Sequence, residues 1–179
     1  MQFEFRRLSR PDFGQLSDWL SEAHVRRWWN HDPSPVAVED NFGPTADGQE
    51  PAEDYIVEYT GEPIGVIQFC MFSDYPEYVD EMRSVYPVGD GDASIDYFIG
   101  RADLVGMGIG RAMIAAFAQT VWATKPAVQR LVVPVNSSNV ASWRALLSAG
   151  FELVARGDMV PDNPVDRPLH EILQLTRPT

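Results

Sequence analysis

Gly106, Gly108 and Gly110 alternate with Met107 and Ile109, between a strand-like run and apolar residues at helical spacing: Ala112, Met113, Ala116, Phe117 and Val121. Glycine reaches tight backbone conformations and has no Cβ to hold a ligand off. The first amides of a helix have no internal partner and sit at its positive end, so this arrangement suits a pyrophosphate. The same spacing also serves as a strand-to-helix connection that binds nothing. Two other phosphate loops are excluded. No Gly-Lys-Ser/Thr follows, and the dinucleotide fingerprint lacks both its wider glycine spacing and the acid that should end a second strand.

One strand further on, Asn139 opens a helix that closes on Ala149-Gly150-Phe151. Its side chain either caps that helix or reaches a ligand beside the glycines. Upstream, Asp96 interrupts an apolar strand, Ser94-Ile-Asp-Tyr-Phe-Ile99. It is either an outward-facing polar residue or a carboxylate placed to hold an ammonium and accept its proton. From Asp74 to Asp96 stand seven acids (Asp74, Glu77, Asp80, Glu81, Asp90, Asp92 and Asp96) against Arg83, with Tyr75, Tyr78 and Tyr86 interleaved. Carboxylates beside aromatic faces suit a polycationic sugar or polyamine; a solvated acidic loop has the same composition. Trp28 and Trp29 either wall an acceptor pocket or anchor the core. No spacing pairs His24 with another chemical group.

Taken together, Gly106-Met-Gly-Ile-Gly-Arg111 and the Asn139 to Gly150-Phe151 spacing resemble the acyl-CoA-binding core of the GNAT superfamily of N-acetyltransferases. Trp19-Leu20, His24-Val25-x-x-Trp28-Trp29, Tyr55-Ile56, Gly61-Glu62-Pro63-Ile64-Gly65 and Ile95-Asp96-x-Phe98 look like its aminoglycoside 6'-N-acetyltransferase branch. Siderophore-lysine acyltransferases share the architecture but typically place His where Asp96 stands.

The resemblance implies one domain over residues 1–179, an α/β fold whose mixed, twisted sheet is splayed into a V with helices on both faces. It implies acetyl-CoA as cosubstrate, its pantetheine arm along Tyr97, Phe98 and Ile99. The pyrophosphate would rest on the turn formed by Val105, Gly106, Met107, Gly108, Ile109 and Gly110, with Arg111, Asn139 and Ser142 completing the set. Asp96 matches the family's base, and Trp28, Trp29, Tyr75, Glu77, Asp80 and Asp92 join it as candidates to receive a cationic small-molecule amine. The implied activity is acetylation of an aminoglycoside-like polycation, hence antibiotic resistance. A siderophore lysine or other small amine, or a CoA- or drug-binding relative without turnover, are the alternatives. Three positions depart from the pattern: Val105 replaces Gln or Arg, Leu146 replaces the Tyr that protonates the thiolate, and Pro134 replaces an Asp that contacts substrate.

Composition agrees with this and narrows it. Among 179 residues, 14 Lys and Arg face 26 Asp and Glu, a formal charge of −12. That balance disfavours nucleic acid and anionic membranes as partners, since both call for clustered cations. The single Cys70 allows no intrachain disulfide, and no Cys/His spacing suggests a metal. The start of the sequence shows no signal-like apolar stretch and no later run is long enough to span a membrane, so the expected location is cytoplasmic, as monomer or homodimer.

The positioning elements follow from pattern. Phe3–Leu8, 55–59, 64–72, 94–99, 130–135, 151–155 and 169–176 read as strands, with a turn at Thr60-Gly61-Glu62-Pro63. Helices start after Ser9 and near His24, the second ending at the prolines after Asp32; two more follow the glycines and Asn139. Residues 41–54 and 73–93 read as loops.

Overall fold

The computed structural model describes residues 2–179. Strand β1, Phe3–Arg7, pairs antiparallel with β2, Glu53–Tyr59, from Phe3↔Tyr59 to Arg7↔Tyr55. Thr60 and Gly61 then turn the chain into β3, Glu62–Met71. Both turn residues have positive φ, 53° and 85°, the two-residue geometry that follows the natural twist of a hairpin.

Three helices lie between β1 and β2: α1 Phe13–Ser21, α2 Ala23–Trp29 and α3 Pro35–Ala46. Leu16, Trp19 and Leu20 bury one face of α1, as their spacing predicts. α3 is a correction, since the sequence predicts a stop at these prolines and a loop over 41–54. Pro35 occupies the first helical turn, where an absent N–H is no loss. Ser34 caps it, its Oγ accepting from Ala37 N at 3.3 Å, and Val38 and Phe42 supply the buried stripe.

A second correction concerns 73–93, which is not a structureless loop. Helix α4, Pro76–Arg83, buries Met82 completely and lays Tyr78 against Phe72, ring centroids 4.7 Å apart. In the sequence this i, i+4 pair is hidden among Glu77, Asp80, Glu81 and Arg83.

Strand β4, Asp92–Ile99, pairs in parallel with β5, Arg130–Asn136, through Asp92↔Arg130 and Ala93↔Leu131. α5, Ile109–Thr124, and α6, Val140–Ser148, flank β5 in sequence. The antiparallel strands β6, Glu152–Asp158, and β7, Leu169–Thr176, follow. Hydrogen bonding gives a seven-stranded mixed sheet in the order β1-β2-β3-β4-β5-β7-β6.

The chain forms two compact units: residues up to Phe69 with Asp96–Ile109, and Cys70–Ile95 with Gly110–Thr179. β4 gives its first half to the second unit and its second half to the first. The first unit's core gathers Leu16, Trp19, Leu20, Val38, Phe42, Ile56 and Phe98. It also buries Asp54, which accepts from Gln68 Nε2 at 2.7 Å and contacts Thr45 Oγ1; that hydroxyl lies 2.9 Å from Phe42 O as well. Burial raises the Asp54 carboxyl above its ordinary range, against the opposing pull of Thr45, Gln68 and Arg7.

The second unit's core is built on Phe72, Met82, Val132, Met159 and Ile172. Beyond β7, the Arg177 guanidinium donates to Val128 O, Trp122 O and Lys125 O at 2.7, 2.8 and 2.5 Å, gathering the carbonyls at and just past the C-terminal end of α5. A cation is favourable there because those carbonyls form the negative end of the helix.

Candidate functional site

Along the second half of β4, Asp96 is exposed, Tyr97 half-buried, Phe98 buried and Ile99 half-buried. Alternation puts Asp96 and Phe98 on one face. Phe98 is held edge-on by Trp29 at 4.7 Å and by Trp19 at 6.3 Å. Trp29 is therefore a core anchor, whereas the half-buried Trp28 lies under the Arg27 guanidinium, 4.0 Å from its ring centroid.

The end of β4 is gripped closely. A Cβ on Gly100 would stand 2.1 Å from Trp19 Cγ, so only glycine lets the strand pass under that ring. Gly100 N donates to Ile64 O at 2.8 Å, and His24 Nε2 lies 2.8 Å from Ile99 O. No residue pattern marks the His24 contact, because its partner is a backbone carbonyl 75 residues away.

From Gly100 the chain makes a short 3-10 turn at Ala102–Leu104 and enters the glycine turn. Gly106 and Gly108 have φ of 81° and 78°, a region that side chains rarely adopt. A Cβ at either would meet nothing within 4 Å. The space beside these glycines is open, and Val105 and Met107 are exposed beside them. Ile109 is buried and Gly110 half-buried at the start of α5, while Arg111 is exposed. The open cradle and the unpaired first amides of a 16-residue helix fit a pyrophosphate.

In the second unit, Asn139 caps α6, its Oδ1 accepting from Ser142 N at 3.2 Å. Ser142 is half-buried, and Leu146 is wholly buried, so the latter presents nothing to a reacting group. Pro134 stands within β5 opposite Ile172 of β7.

The acid-rich segment divides by partner. Asp92, read from the sequence as a substrate contact, is instead buried in an ion pair. Its Oδ1 accepts from Arg130 Nε at 2.6 Å, while Oδ2 accepts from Arg130 Nη2 at 2.5 Å and Gly89 N at 2.7 Å. Arg130 in turn reaches Tyr86 Oη and Gln174 Oε1 at 3.2 and 3.4 Å. Asp80 is exposed and paired with Arg83 at 3.0 Å across one turn of α4. Glu77 is exposed in the first turn of that helix, and Tyr75 precedes it half-buried. Among the described residues no group of three or more His, Cys, Asp or Glu side chains is placed to hold a metal, and no helix is long and apolar enough to cross a membrane.

With this geometry in place, comparison with known proteins identifies the class. Residues 9–159 match the acetyltransferase (GNAT) domain, and the chain belongs to that family of acetyltransferases. It is similar to the aminoglycoside N(6')-acetyltransferases type 1 of Klebsiella pneumoniae and Serratia marcescens, each 26% identical over 164 residues, covering 89% of this chain and 78% of theirs. The solved structure of AAC(6')-Ib with ribostamycin and coenzyme A superposes with a TM-score of 0.83 at 23% identity, over 99% of this chain and 94% of that one. An aminoglycoside N(6')-acetyltransferase from Legionella pneumophila gives 0.72 at 20%, over 98% and 94%. These superpositions establish the fold.

Proposed function

We propose that the chain, as a single catalytic domain, transfers an acetyl group from acetyl-CoA to a primary amine of an aminoglycoside-like polycation. The observation that carries the donor half is the pair of open, positive-φ glycines feeding the unpaired amides of α5. The acceptor half is supported by the likeness to the two curated aminoglycoside N(6')-acetyltransferases across 89% of the chain.

Acetyl-CoA supplies an activated thioester carbonyl. The residues do the rest by placement. The amides of Gly106 to Gly110 and α5 meet the pyrophosphate, with Arg111 adding positive charge against a chain whose formal charge is −12. The edge of β4 at Tyr97–Ile99 holds the amide-bearing arm. Asp96 pairs with the incoming ammonium, orients it and takes its proton directly or through water, since only the free amine attacks. The buried Leu146 offers the departing thiolate no proton, which comes instead from water or from another residue. Glu77 and Tyr75 receive the cationic rings, and Asp92 is withdrawn from that role.

A thiol-release assay with acetyl-CoA tests this. Turnover is expected with kanamycin-type amines; a panel of aminoglycosides, polyamines and hydroxylysine that releases no CoA would sink the enzyme assignment. Asp96→Asn should lower kcat about a hundredfold or more with CoA affinity unchanged, and unaltered turnover would remove Asp96 from the mechanism. Cytoplasmic expression in a susceptible bacterium should then confer aminoglycoside resistance.

A further inference from the structure

We propose that His24 is a positioning residue for the acetyl donor: it closes the edge of β4 turned away from β3 at the strand's last carbonyl. This rests on the reading that the donor's arm lies along Tyr97–Ile99.

Successive residues of a strand send their N–H and C=O groups to opposite edges. Gly100 is turned toward β3, since its N–H donates to Ile64 O at 2.8 Å. Phe98 O faces β3 as well, so near Gly65 that a Cβ on that residue would come within 2.1 Å of it. Ile99, between them, therefore sends its amide and carbonyl to the other edge. The rungs to β5 on that side are Asp92↔Arg130 and Ala93↔Leu131, well short of Ile99. An arm carrying amides adds to such an edge as an extra strand would.

His24 Nε2 meets Ile99 O at 2.8 Å. A carbonyl only accepts, so Nε2 carries the proton and the ring is the donor. The contact spends the last acceptor of the edge and leaves the Ile99 N–H, on the same edge, as the donor nearest the glycine turn. It also ties β4 to α2, while Trp19 of α1 sits on Gly100. Both grips act just before the chain enters the turn at Val105–Gly108, so one contact sets the height of the strand edge and the origin of the pyrophosphate cradle. Loss of the donor should weaken acetyl-CoA and leave the acceptor unaffected.

The test compares His24→Leu, which keeps apolar bulk and donates nothing, with His24→Gln, whose amide places an N–H at similar reach. By calorimetric titration, His24→Leu should bind CoA about tenfold more weakly than the unaltered protein, the scale of losing a hydrogen bond and stranding its acceptor. KM for acetyl-CoA should rise in step, with kcat and acceptor KM within about twofold, and His24→Gln should recover most of the loss. Equal CoA affinity in His24→Leu, equal losses in both variants, or a fall in kcat at unchanged KM would each overturn the proposal. Unaltered protein that binds no CoA would overturn the donor-site reading itself, a result distinct from these. Should His24→Leu not fold, nitrogen-15 spectra of the unaltered protein decide. The His24 ring, assigned by its absence in His24→Gln, should show the Nε2–H tautomer and shift on adding CoA; an unmoved resonance overturns the proposal.

Discussion

The glycine turn and the acid-rich segment were both conspicuous in the sequence, yet only one of them translates directly into local geometry. At Gly106 and Gly108 the residue type encodes the backbone angle itself, and the backbone shapes the open turn to which we assign the pyrophosphate. Between Asp74 and Asp96 the residue type encodes only a charge. What each carboxylate does depends on partners far along the chain: Asp92 is consumed by Arg130, 38 residues on, and Asp80 by its neighbour Arg83. Sites made of backbone are read locally; sites made of side chains are read only after folding has assigned the partners.

Asp92 against Asp80 breaks or keeps that contrast most directly. Asp92→Ala leaves Arg130 half-buried without its bidentate partner and should cost about 3 kcal/mol of stability. Asp80→Ala removes an exposed pair and should cost less than about 0.5 kcal/mol. Urea midpoints measure both, and equal values would mean that the Asp92 pair is no better than a surface one.

Gly108→Ala tests the backbone side. Its φ of 78° strains any side chain, and the added methyl enters the space assigned to the pyrophosphate. KM for acetyl-CoA should rise about tenfold, one decade being about 1.4 kcal/mol, with the acceptor KM near its original value. An acceptor KM that rises alone would move the donor away from this turn.

Asp54 offers a modest effect and the clearest sign. Its folded pKa is raised above the ordinary carboxylate value, so its favourable contribution is complete below that value and is lost as pH rises through the folded one. The hydrogen-bond geometry gives the reason. Thr45 has one hydroxyl proton for two acceptors, Phe42 O and Asp54; a protonated Asp54 donates to Thr45 and satisfies all three. Asp54→Asn copies that state and should gain about 1 kcal/mol at neutral pH, while flattening the rise in stability on mild acidification. Thermal melts from pH 7 downward check it, and an unchanged pH slope would mean that Asp54 is ionised throughout.

The fold was legible where a pattern has one structural meaning. Thr60-Gly61 made a hairpin, the glycines opened α5, and Asn139 capped α6. α3 was missed because Pro35 ends one helix or starts another, and only the Ser34 cap decides which. α4 was missed because four charges surround Tyr78 and Met82, and its burial depends on Phe72 and strands formed much later in the chain. Of the candidate site, the glycine turn and the exposure of Asp96 were readable. The His24–Ile99 contact was not, for no residue type announces a carbonyl partner.

The Arg177 clamp bears on the order in which the molecule is made. The carbonyls it collects belong to residues 49 to 55 positions earlier. As the chain leaves the ribosome, α5 is complete long before the guanidinium that neutralises its far end exists; in the folded chain Arg177 directly follows Thr176, which pairs with Arg130 of β5. The helix whose first turn is assigned to the donor is thus closed at its far end by a side chain that lies just beyond β7.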